Sequence, residues 1–367
     1  MFIVGTRPEA IKLAPLIKAF YKEKQDFILR VCATGQHTNM VEEVFGFFEI
    51  KNYTTLKTMV PGQSLNALSA KLLTEIAREL EDFNPDIVFV QGDTNSSVAG
   101  ALASFYFGTK IAHVEAGLRT FNNRNPFPEE MNRKIIGQMA DWHFVPTLRA
   151  RLNLLEEGIG PKRILLSGNT IIDALNIGLE SIKDETYPSV ERIKTVLSED
   201  DKPFILATVH RRENKGKPVE RICKAFLNIV ESCKVEILMP AHPNQEISAT
   251  IRAMLSNHPA IKIIDPVPYP GFLWLMKNCA FILTDSGGIQ EEASGIGKNV
   301  ILLRENTERN EAISGGFVHK AGSDIDRIVR LAAGFLDNRK DPAIKEIFGH
   351  GDASNKIVSF IKNLHDA

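Results

Sequence analysis

Short apolar runs alternate with amphipathic stretches from one end of the chain to the other. The short runs are typical of buried strands, and they are Ile28–Ala33, Ile87–Gln91, Ile111–Val114, Trp142–Val145, Phe204–Val209, Val235–Met239, Ile261–Ile264, Phe281–Thr284 and Val300–Leu303. Between them apolar residues recur at helical spacing, most clearly at Ala10, Leu13, Ala14, Ile17 and Phe20 and at Leu68, Leu72, Ile76 and Leu80. Strands that alternate with helices predict mostly parallel sheets with helices on both faces.

The alternation weakens between about residues 178 and 203, where charged residues are frequent and apolar residues are sparse. We therefore predict an α/β fold of two Rossmann-like domains, residues 1–168 and 169–354, with a central cleft. Ligands of such folds bind at the carboxyl ends of the parallel strands. Polar residues that directly follow strands are thus the candidates for a functional site.

The composition is that of an ordinary globular protein. The chain has 367 residues, and a single core stops growing at ~250–300, so two domains are expected. Lys and Arg number 44 against 45 Asp and Glu, so the net charge of −1 gives no general attraction to nucleic acid. No apolar stretch reaches the ~18 residues of a membrane span. The N-terminus lacks the basic segment and apolar run of a signal peptide.

The four cysteines show neither metal nor disulfide spacing. Cys32, Cys223, Cys233 and Cys279 form no C-x-x-C pair and have no paired histidines at zinc-like spacing. In a chain of this size such residues are expected to be reduced, partly buried thiols. We therefore predict a cytoplasmic enzyme without a metal site.

The first polar cluster follows the N-terminal strand, in residues 5–9. Thr6 and Glu9 have the spacing of a capping box, which predicts the start of a helix. Arg7 and Lys12 would then lie near a helix N-terminus, where an anion is favoured. A well-capped surface helix explains the same spacing equally well.

Two carboxylates lie at the ends of the next predicted strands. Asp93 follows one strand closely, and Glu115 lies in the apolar end of another, where a carboxylate is costly unless it is paired. Adjacent parallel strands would bring both to one sheet edge, where split pKa values suit an acid and a base. The alternatives are a helix N-cap for Asp93 and a structural pair of Glu115 with Arg119 or His113.

Two further segments give weaker signals. Glu129 lies in a proline-pinned loop that enters a helix, and acidic residues are common in a first turn because of the helix dipole. His210 follows a strand together with Arg211 and Arg212, which suits a phosphate or a developing negative charge. A solvated basic loop with Glu213 as its internal partner is the alternative.

Residues 284–293 give the sharpest pattern, a strand that ends in a Ser-Gly-Gly turn and continues as a helix. Backbone N–H groups of the turn at residues 286–288 can bind a phosphate. Glu292 can accept both hydroxyls of a ribose, as acidic residues do in other nucleotide folds. Arg309 offers a further cation for a phosphate.

Nucleotide motifs of two common kinds are missing. No G-x-G-x-x-G follows a strand and no G-x-x-x-x-G-K-[ST] occurs, which argues against a dinucleotide cofactor and a P-loop NTPase. Phe272 and Trp274 can stack on a base, although aromatic residues at this spacing more often belong to a core.

In their order along the chain, these segments resemble the non-hydrolysing UDP-N-acetylglucosamine 2-epimerases. The matching segments span nearly the whole chain and are residues 5–15, 91–94, 113–120, 128–133, 168–173, 210–214, 284–293 and 307–309. The resemblance implies a GT-B-like fold with the active site in the interdomain cleft. It also implies that a last helix, residues 355–367, packs back on the first domain and that the protein is a homodimer.

The family interconverts UDP-GlcNAc and UDP-ManNAc, and the resemblance implies this reaction here, in the supply of ManNAc units for surface polysaccharide. The C2 proton is removed while UDP leaves C1, which gives 2-acetamidoglucal, and UDP adds back as C2 is protonated on the other face. This chemistry needs acid–base groups and stabilisation of the departing UDP, but no cofactor. The alternatives are a hydrolysing epimerase that releases ManNAc and a GT-B glycosyltransferase.

The resemblance also implies residue roles. The catalytic residues are Asp93, Glu115, Glu129 and His210. The substrate-binding residues are Arg7, Lys12, Arg133, Phe272, Ser286, Gly287, Gly288, Glu292 and Arg309. Asn39 and Gly62 replace residues that are usual where the family binds a second, activating UDP-GlcNAc, which weakens the expectation of activation by substrate.

Overall fold

The computed structural model describes residues 1–60, 62–184, 186–197, 202–241, 245–305, 307–338, 342 and 346–365. The chain divides into two compact units. Unit 1 comprises Met1–Ile177 and Phe348–Ala367, and unit 2 comprises Gly178–Ile347. The division lies inside one continuous helix, Thr170–Asp184, whereas the sequence pattern places the boundary at 168/169.

Unit 1 is built on a parallel sheet of seven strands within its described residues, in the order β3-β2-β1-β4-β5-β6-β7. The strands are β1 Phe2–Val4, β2 Val31–Ala33, β3 Thr54–Thr55, β4 Ile87–Gln91, β5 Lys110–Val114, β6 Trp142–Val145 and β7 Ile164–Leu166. The strand order reverses between β1 and β4. In open α/β sheets the carboxyl ends of the strands at such a point are where ligands bind.

Helices connect the strands of unit 1. They are α1 Arg7–Lys22, α2 Thr38–Phe47, α3 Leu65–Phe83, α4 Asn95–Phe107, α5 Glu129–Met139, α6 Leu148–Glu156 and α7 Thr170–Asp184. The predicted apolar faces of α1 and α3 are confirmed, because all nine of their residues are buried. A capping box begins α1, with both of its hydrogen bonds present between Thr6 and Glu9.

Unit 2 contains a parallel sheet of six strands among its described residues, in the order β10-β9-β8-β11-β12-β13. The strands are β8 Phe204–Thr208, β9 Glu236–Pro240, β10 Ile261–Ile264, β11 Ile282–Thr284, β12 Val300–Leu302 and β13 Val318–Lys320. The helices are α8 Pro188–Val196, α9 Lys217–Ser232, α10 Gln245–Leu255, α11 Tyr269–Asn278, α12 Gly287–Ile296, α13 Asn310–Ser314 and α14 Ile325–Asp337. Side chains of the central strands and of α9 form a continuous apolar core.

The last helix, α15 Ala353–His365, belongs to unit 1. Its first turn donates the N–H groups of Ala353 and Ser354 to the carboxylate of Asp173 at 3.3 and 2.8 Å. Further along, Phe360 packs edge-on against Phe144 of β6, with ring centroids 5.7 Å apart. Of the helix expected at residues 355–367, the last two residues lie outside the described part. No helix in the described part of the chain is long and apolar enough to cross a membrane.

Strands β5 and β6 place two histidines side by side inside unit 1. His113 and His143 are register partners, and their ring centroids are 6.5 Å apart. Burial lowers the pKa of His113 to about 4 and that of His143 to about 3. Both rings are therefore neutral in the folded protein at physiological pH, and protonating them in place is unfavourable.

Unit 1 is expected to lose stability as the pH falls below neutrality. In an unfolded chain both histidines take up a proton near pH 6.5, whereas the folded protein resists this until about pH 4 and about pH 3. The loss is on the order of 3 kcal/mol from His113 alone. Urea unfolding between pH 7 and pH 4 measures it. His143→Phe should flatten the pH dependence, and an unchanged slope in that variant would refute the explanation.

Candidate functional site

Unit 1 gathers its predicted site residues at the carboxyl edge of the sheet. Asp93 lies two residues beyond β4, and Glu115 directly follows β5. Arg7 begins α1, the helix that follows β1, and Lys12 lies on the same helix. Glu129 opens α5, which also carries Arg133.

Arg133 organises the carboxylates around the end of β4. Its guanidinium is buried, and it forms ion pairs with Asp93 and with Glu130, the latter at 2.9 Å. Glu130 is itself fully buried and accepts the backbone N–H groups of Thr120 and Phe121, each at 3.0 Å. The sequence analysis missed Glu130, although it lies in the same helical turn as Glu129. The Asp93 side chain, 27% exposed, is thus oriented by the buried guanidinium of Arg133.

Glu115 has a backbone φ of 61°, in the left-handed region that non-glycine residues rarely adopt. Its buried carboxylate forms an ion pair with Lys12 and accepts a hydrogen bond from Asn169 Nδ2 at 2.9 Å. The ammonium of Lys12 thus provides an opposite charge for the buried carboxylate at this strand end. Strained backbone of this kind is found preferentially at functional sites.

The helix N-cap that the sequence left open for Asp93 is wrong, and the two candidate partners of Glu115 form hydrogen bonds with other groups. Arg119 pairs through two nitrogens with Glu157, each at 2.7 Å, and His113 Nε2 donates to the carbonyl of Gly92 at 2.8 Å. The N-cap of α4 is Thr94, whose hydroxyl accepts the N–H of Ser97 at 3.1 Å. The end of α4 does not require Asp93, because the short Thr94 side chain already satisfies it.

In unit 2 a buried carboxylate that the sequence analysis did not select holds the histidine loop. Asp285, directly after β11, accepts the N–H groups of His210 and Arg211 at 2.9 Å and Asn214 Nδ2 at 2.8 Å. His210 Nδ1 lies 3.1 Å from the same carboxylate. Burial lowers the pKa of His210, and Asp285 opposes that shift. Asp285 therefore fixes both the position and the ring orientation of His210.

Glu213 of the basic loop binds a residue outside the loop. It accepts a hydrogen bond from Arg304 Nε at 2.5 Å. Arg304 is fully buried and lies two residues beyond β12, so it requires a carboxylate partner. The loop is thereby tied to the neighbouring strand end.

The predicted phosphate turn opens α12. Ser286 is its N-cap residue and donates its own N–H to Thr284 Oγ1 at 2.9 Å. The guanidinium of Arg309 packs against this turn, so that a Cβ placed on Gly287 would lie only 2.8 Å from Arg309 Cζ. Glu291 binds Arg309 Nε at 2.7 Å from the next turn of α12. Helix N–H groups and a fixed cation thus lie together, as anion binding requires.

Gly287→Ala is expected to weaken binding of a diphosphate ligand by about 10-fold or more, because the methyl group displaces Arg309 from the turn, at a cost of ~1.4 kcal/mol or more. Titration of UDP into each protein by calorimetry measures the loss. Gly334→Ala is the control, since a Cβ at this position of α14 meets nothing within 4 Å. Equal affinity of the two variants for UDP would contradict this account of the turn.

Two groups on α11 and α12 fit the predicted nucleoside contacts. Tyr269, which the sequence analysis missed, donates its hydroxyl to Glu292 Oε1 at 3.0 Å and so orients that buried carboxylate. Phe272 lies half-buried on the first turns of α11. Trp274 instead stacks on Phe204, with centroids 6.2 Å apart and planes 6° from parallel. Half-buried Trp274 therefore packs against the first residue of β8, which agrees with the structural alternative for this residue.

A metal centre has no evident place among these residues. Within the described ranges, no group of three or more His, Cys, Asp or Glu side chains is arranged to hold a metal ion. The cysteines in that part of the chain are free thiols.

The chain is similar to proteins of one family in sequence and in fold. A family model described as UDP-N-acetylglucosamine 2-epimerase matches residues 19–362. The UDP-N-acetylglucosamine 2-epimerase of Campylobacter jejuni is 40% identical over 370 residues, which cover 98% of this chain and 96% of the relative. The crystal structure of UDP-GlcNAc 2-epimerase from Neisseria meningitidis bound to UDP-GlcNAc is 37% identical, with a TM-score of 0.92 and 99% of both chains covered. The corresponding Methanocaldococcus jannaschii structure, in complex with UDP-GlcNAc and UDP, is 35% identical, with a TM-score of 0.88 and 99% of both chains covered.

Proposed function

Because the chain belongs to the UDP-N-acetylglucosamine 2-epimerase family, we propose that it interconverts UDP-GlcNAc and UDP-ManNAc and retains UDP during the reaction. The observation that carries this proposal is the geometry at the start of α12, where the guanidinium of Arg309 packs against the turn at Gly287. Similarity to a relative that is bound to UDP-GlcNAc supports the same class of substrate here.

Unit 2 supplies the groups that bind UDP in this proposal. The backbone of Ser286, Gly287 and Gly288 and the guanidinium of Arg309 bind the diphosphate, with Arg309 held in place by Glu291. Glu292, oriented by Tyr269, accepts the ribose hydroxyls, and Phe272 contacts the uracil end. His210 stabilises the phosphate that leaves C1, because Asp285 fixes its ring. Arg7 and Lys12, on α1 of unit 1, are the further cations that this proposal assigns to phosphate.

Unit 1 supplies the groups that move protons. Asp93, Glu115 and Glu129 are the carboxylates assigned to the sugar, and the cations of Arg133 and Lys12 offset two of these charges. In the first half-reaction one carboxylate takes the C2 proton, the C1–O bond breaks, and UDP leaves with the electron pair. The double bond formed between C1 and C2 gives 2-acetamidoglucal.

The second half-reaction reverses these steps on the other face of the sugar. A carboxylic acid delivers a proton to C2 while a β-phosphate oxygen of UDP forms the new bond to C1. The outcome depends on which nucleophile reaches C1, since water at that position would release free ManNAc instead. Ser286, Gly287 and Arg309 are proposed to keep the diphosphate of UDP bound after it leaves C1. Bound UDP can then return to C1, which is the reason for preferring the non-hydrolysing reaction.

Product analysis tests this function. NMR of UDP-GlcNAc incubated with the protein should show UDP-ManNAc at equilibrium with the substrate and no accumulation of free ManNAc. Free ManNAc with stoichiometric UDP would identify a hydrolysing enzyme. A substrate that is consumed only when a sugar acceptor is added would identify a glycosyltransferase and refute the proposal.

We also propose that the protein works as a homodimer and supplies ManNAc units for surface polysaccharide. An exposed aromatic run at the end of α4 supports association, because Phe105, Tyr106 and Phe107 are all at least one-third exposed. Contiguous exposed apolar groups of this size are typical of protein–protein contacts.

A further inference from the structure

Glu9 lies in the first turn of α1, and its carboxyl group is buried, with 1% of the residue exposed. It is not one of the residues to which the proposed function gives a role. Its Oε2 accepts the N–H groups of Thr6 at 2.7 Å and of Gly5 at 3.2 Å. Its Oε1 contacts the hydroxyls of Thr94 at 2.8 Å and of Ser97 at 2.7 Å. One side chain therefore joins the first turn of α1 to the first turn of α4.

The contacts at Glu9 Oε1 require one more proton than the hydroxyl groups can provide. Ser97 Oγ lies 2.6 Å from the carbonyl oxygen of Gln91 and 2.7 Å from Glu9 Oε1, and Thr94 Oγ1 lies 2.8 Å from Glu9 Oε1. Thr94 Oγ1 also lies 3.0 Å from Ser97 Oγ, so four close oxygen–oxygen contacts face only two hydroxyl protons, one on Ser97 and one on Thr94. The carbonyl of Gln91 only accepts. A proton on the Glu9 carboxyl serves the third short contact and leaves only the longest one, between Thr94 and Ser97, without a proton of its own.

With that proton in place, every donor has an acceptor. Glu9 donates to Ser97 Oγ, Ser97 donates to the carbonyl of Gln91, and Thr94 donates to Glu9. An ionised Glu9 would instead place its oxygen against a lone pair of Ser97 at 2.7 Å, without a proton between them. In a buried site such an unmade hydrogen bond is costly.

The electrostatic surroundings agree with a neutral carboxyl group. Burial raises the pKa of Glu9, and the hydrogen bonds from Ser97, Thr6 and Thr94 oppose that shift. The ionisable residues on the first two turns of α1 and directly before α2 and α4 include Arg7, Lys12, His37 and Asp93. Lys12 and Asp93 form ion pairs with other partners, and burial lowers the pKa of His37, so its ring adds no charge at neutral pH.

The two helix turns that Glu9 joins are in direct contact. A Cβ on Gly5 would overlap the side chain of Ser96, so only glycine fits there. Ser96 Oγ in turn lies 2.8 Å from Thr34 Oγ1 and donates to Gln36 Oε1 at 2.9 Å. Small shifts of one turn must therefore move the other.

We infer that Glu9 is a positioning residue, held as a protonated acid, that sets Arg7 and Asp93 in a fixed relation to each other. Arg7 directly follows Thr6, and Asp93 directly precedes Thr94, so each lies one peptide bond from a partner of Glu9. This inference rests on the proposed function, in which Arg7 binds phosphate and Asp93 acts at the sugar.

Two variants of Glu9 separate positioning from simple loss of structure. Glu9→Gln keeps the shape of a protonated acid, with one acceptor for the backbone N–H groups and a donor for Ser97. It should therefore keep kcat, KM and thermal stability close to those of the parent protein. Glu9→Ala removes both ties and should lower kcat by about 10²-fold, as expected for a small misplacement of reacting groups. Both variants are compared at a temperature well below unfolding.

The pH dependence of stability gives a second readout. A raised pKa in the folded state means that the proton on Glu9 stabilises the fold most at low pH, and this contribution is lost as the pH rises through the folded pKa. Glu9→Gln has no such proton to lose. The melting temperature of the parent protein minus that of Glu9→Gln should therefore fall as the pH rises.

Infrared spectroscopy observes the proton directly. The difference spectrum of the parent protein minus Glu9→Gln at pH 7 should contain the C=O band of a protonated carboxyl group, shifted in D₂O. Carboxylate bands alone, or a Glu9→Gln variant as impaired as Glu9→Ala, would overturn the inference. Full activity of Glu9→Ala would also overturn the positioning role. If the protein does not epimerise UDP-GlcNAc at all, the proposed function fails, while the spectrum and the melting temperatures still decide the state of Glu9.

Discussion

Asp93→Asn is expected to lower kcat for UDP-GlcNAc by about 10³-fold, the usual contribution of a general acid or base. The amide has the same shape as the carboxylate but cannot take up or deliver a proton at neutral pH. Arg133 holds the side chain beside the end of β4 and is itself anchored by Glu130, so the variant keeps its position. KM should change far less than kcat, because the residues proposed to bind the diphosphate lie on α12 and at Arg309. Steady-state kinetics with coupled detection of UDP-ManNAc measures both constants.

Asp141→Asn provides a matched control for this variant. Asp141 is 30% exposed, similar to Asp93, and it also forms an ion pair, with Lys110 at 3.0 Å. It lies at the opposite edge of the same sheet, where it accepts the N–H of Ile111 at the start of β5. Its loss should affect stability slightly and leave kcat unchanged. Equal activity of the Asp93 and Asp141 variants would remove Asp93 from the chemistry.

Arg309→Gln is expected to lower kcat/KM by about 10²–10³-fold, because a fixed cation at a departing diphosphate stabilises charge that develops in the transition state. Arg309 is buried against Gly287, and Glu291 and Glu308 bind its guanidinium. Arg309→Lys keeps the charge but not the planar fork, so it should recover only part of the loss. UDP affinity measured by calorimetry should fall in the same order.

Arg304→Gln tests whether the loss of kcat/KM in Arg309→Gln comes only from disrupted packing. Arg304 is as buried as Arg309, shares Glu308 as a partner and also pairs with Glu213. Both glutamine variants break buried ion pairs and should therefore unfold at a lower temperature. Well below that temperature, Arg304→Gln should retain much more kcat/KM than Arg309→Gln. A similar loss of kcat/KM in both variants would show that the loss comes from broken buried ion pairs and not from a missing contact with UDP.

The sequence pattern was sufficient for the α/β class and the two Rossmann-like units, and the family resemblance implied the GT-B-like fold; both predictions are confirmed. Buried strands such as Ile87–Gln91 and Ile261–Ile264 are found with their predicted bounds. Strands β3, β7 and β13 were missed because they are only two or three residues long and partly exposed. Such segments become strands through pairing with a neighbour, which no local pattern reveals.

Candidate site residues were found in the sequence because they follow strands, but their partners were not. Glu115 pairs with Lys12, 103 positions away, and His210 is held by Asp285, 75 positions away. Local spacing favoured Arg119 and His113 for Glu115, since they are near it in the chain. Which side chains meet at a sheet edge depends on strand order, and that order is set by tertiary packing.

The most direct test of the central claim is the fate of the C2 proton in D₂O. If the protein eliminates and re-adds UDP, the recovered UDP-GlcNAc and UDP-ManNAc should both carry deuterium at C2, and the carbon–oxygen bond at C1 should break during turnover. Mass spectrometry and NMR of the recovered sugar nucleotides measure the label. UDP-ManNAc formed without deuterium at C2, or full recovery of unlabelled UDP-GlcNAc by a protein that binds UDP, would contradict the proposed function.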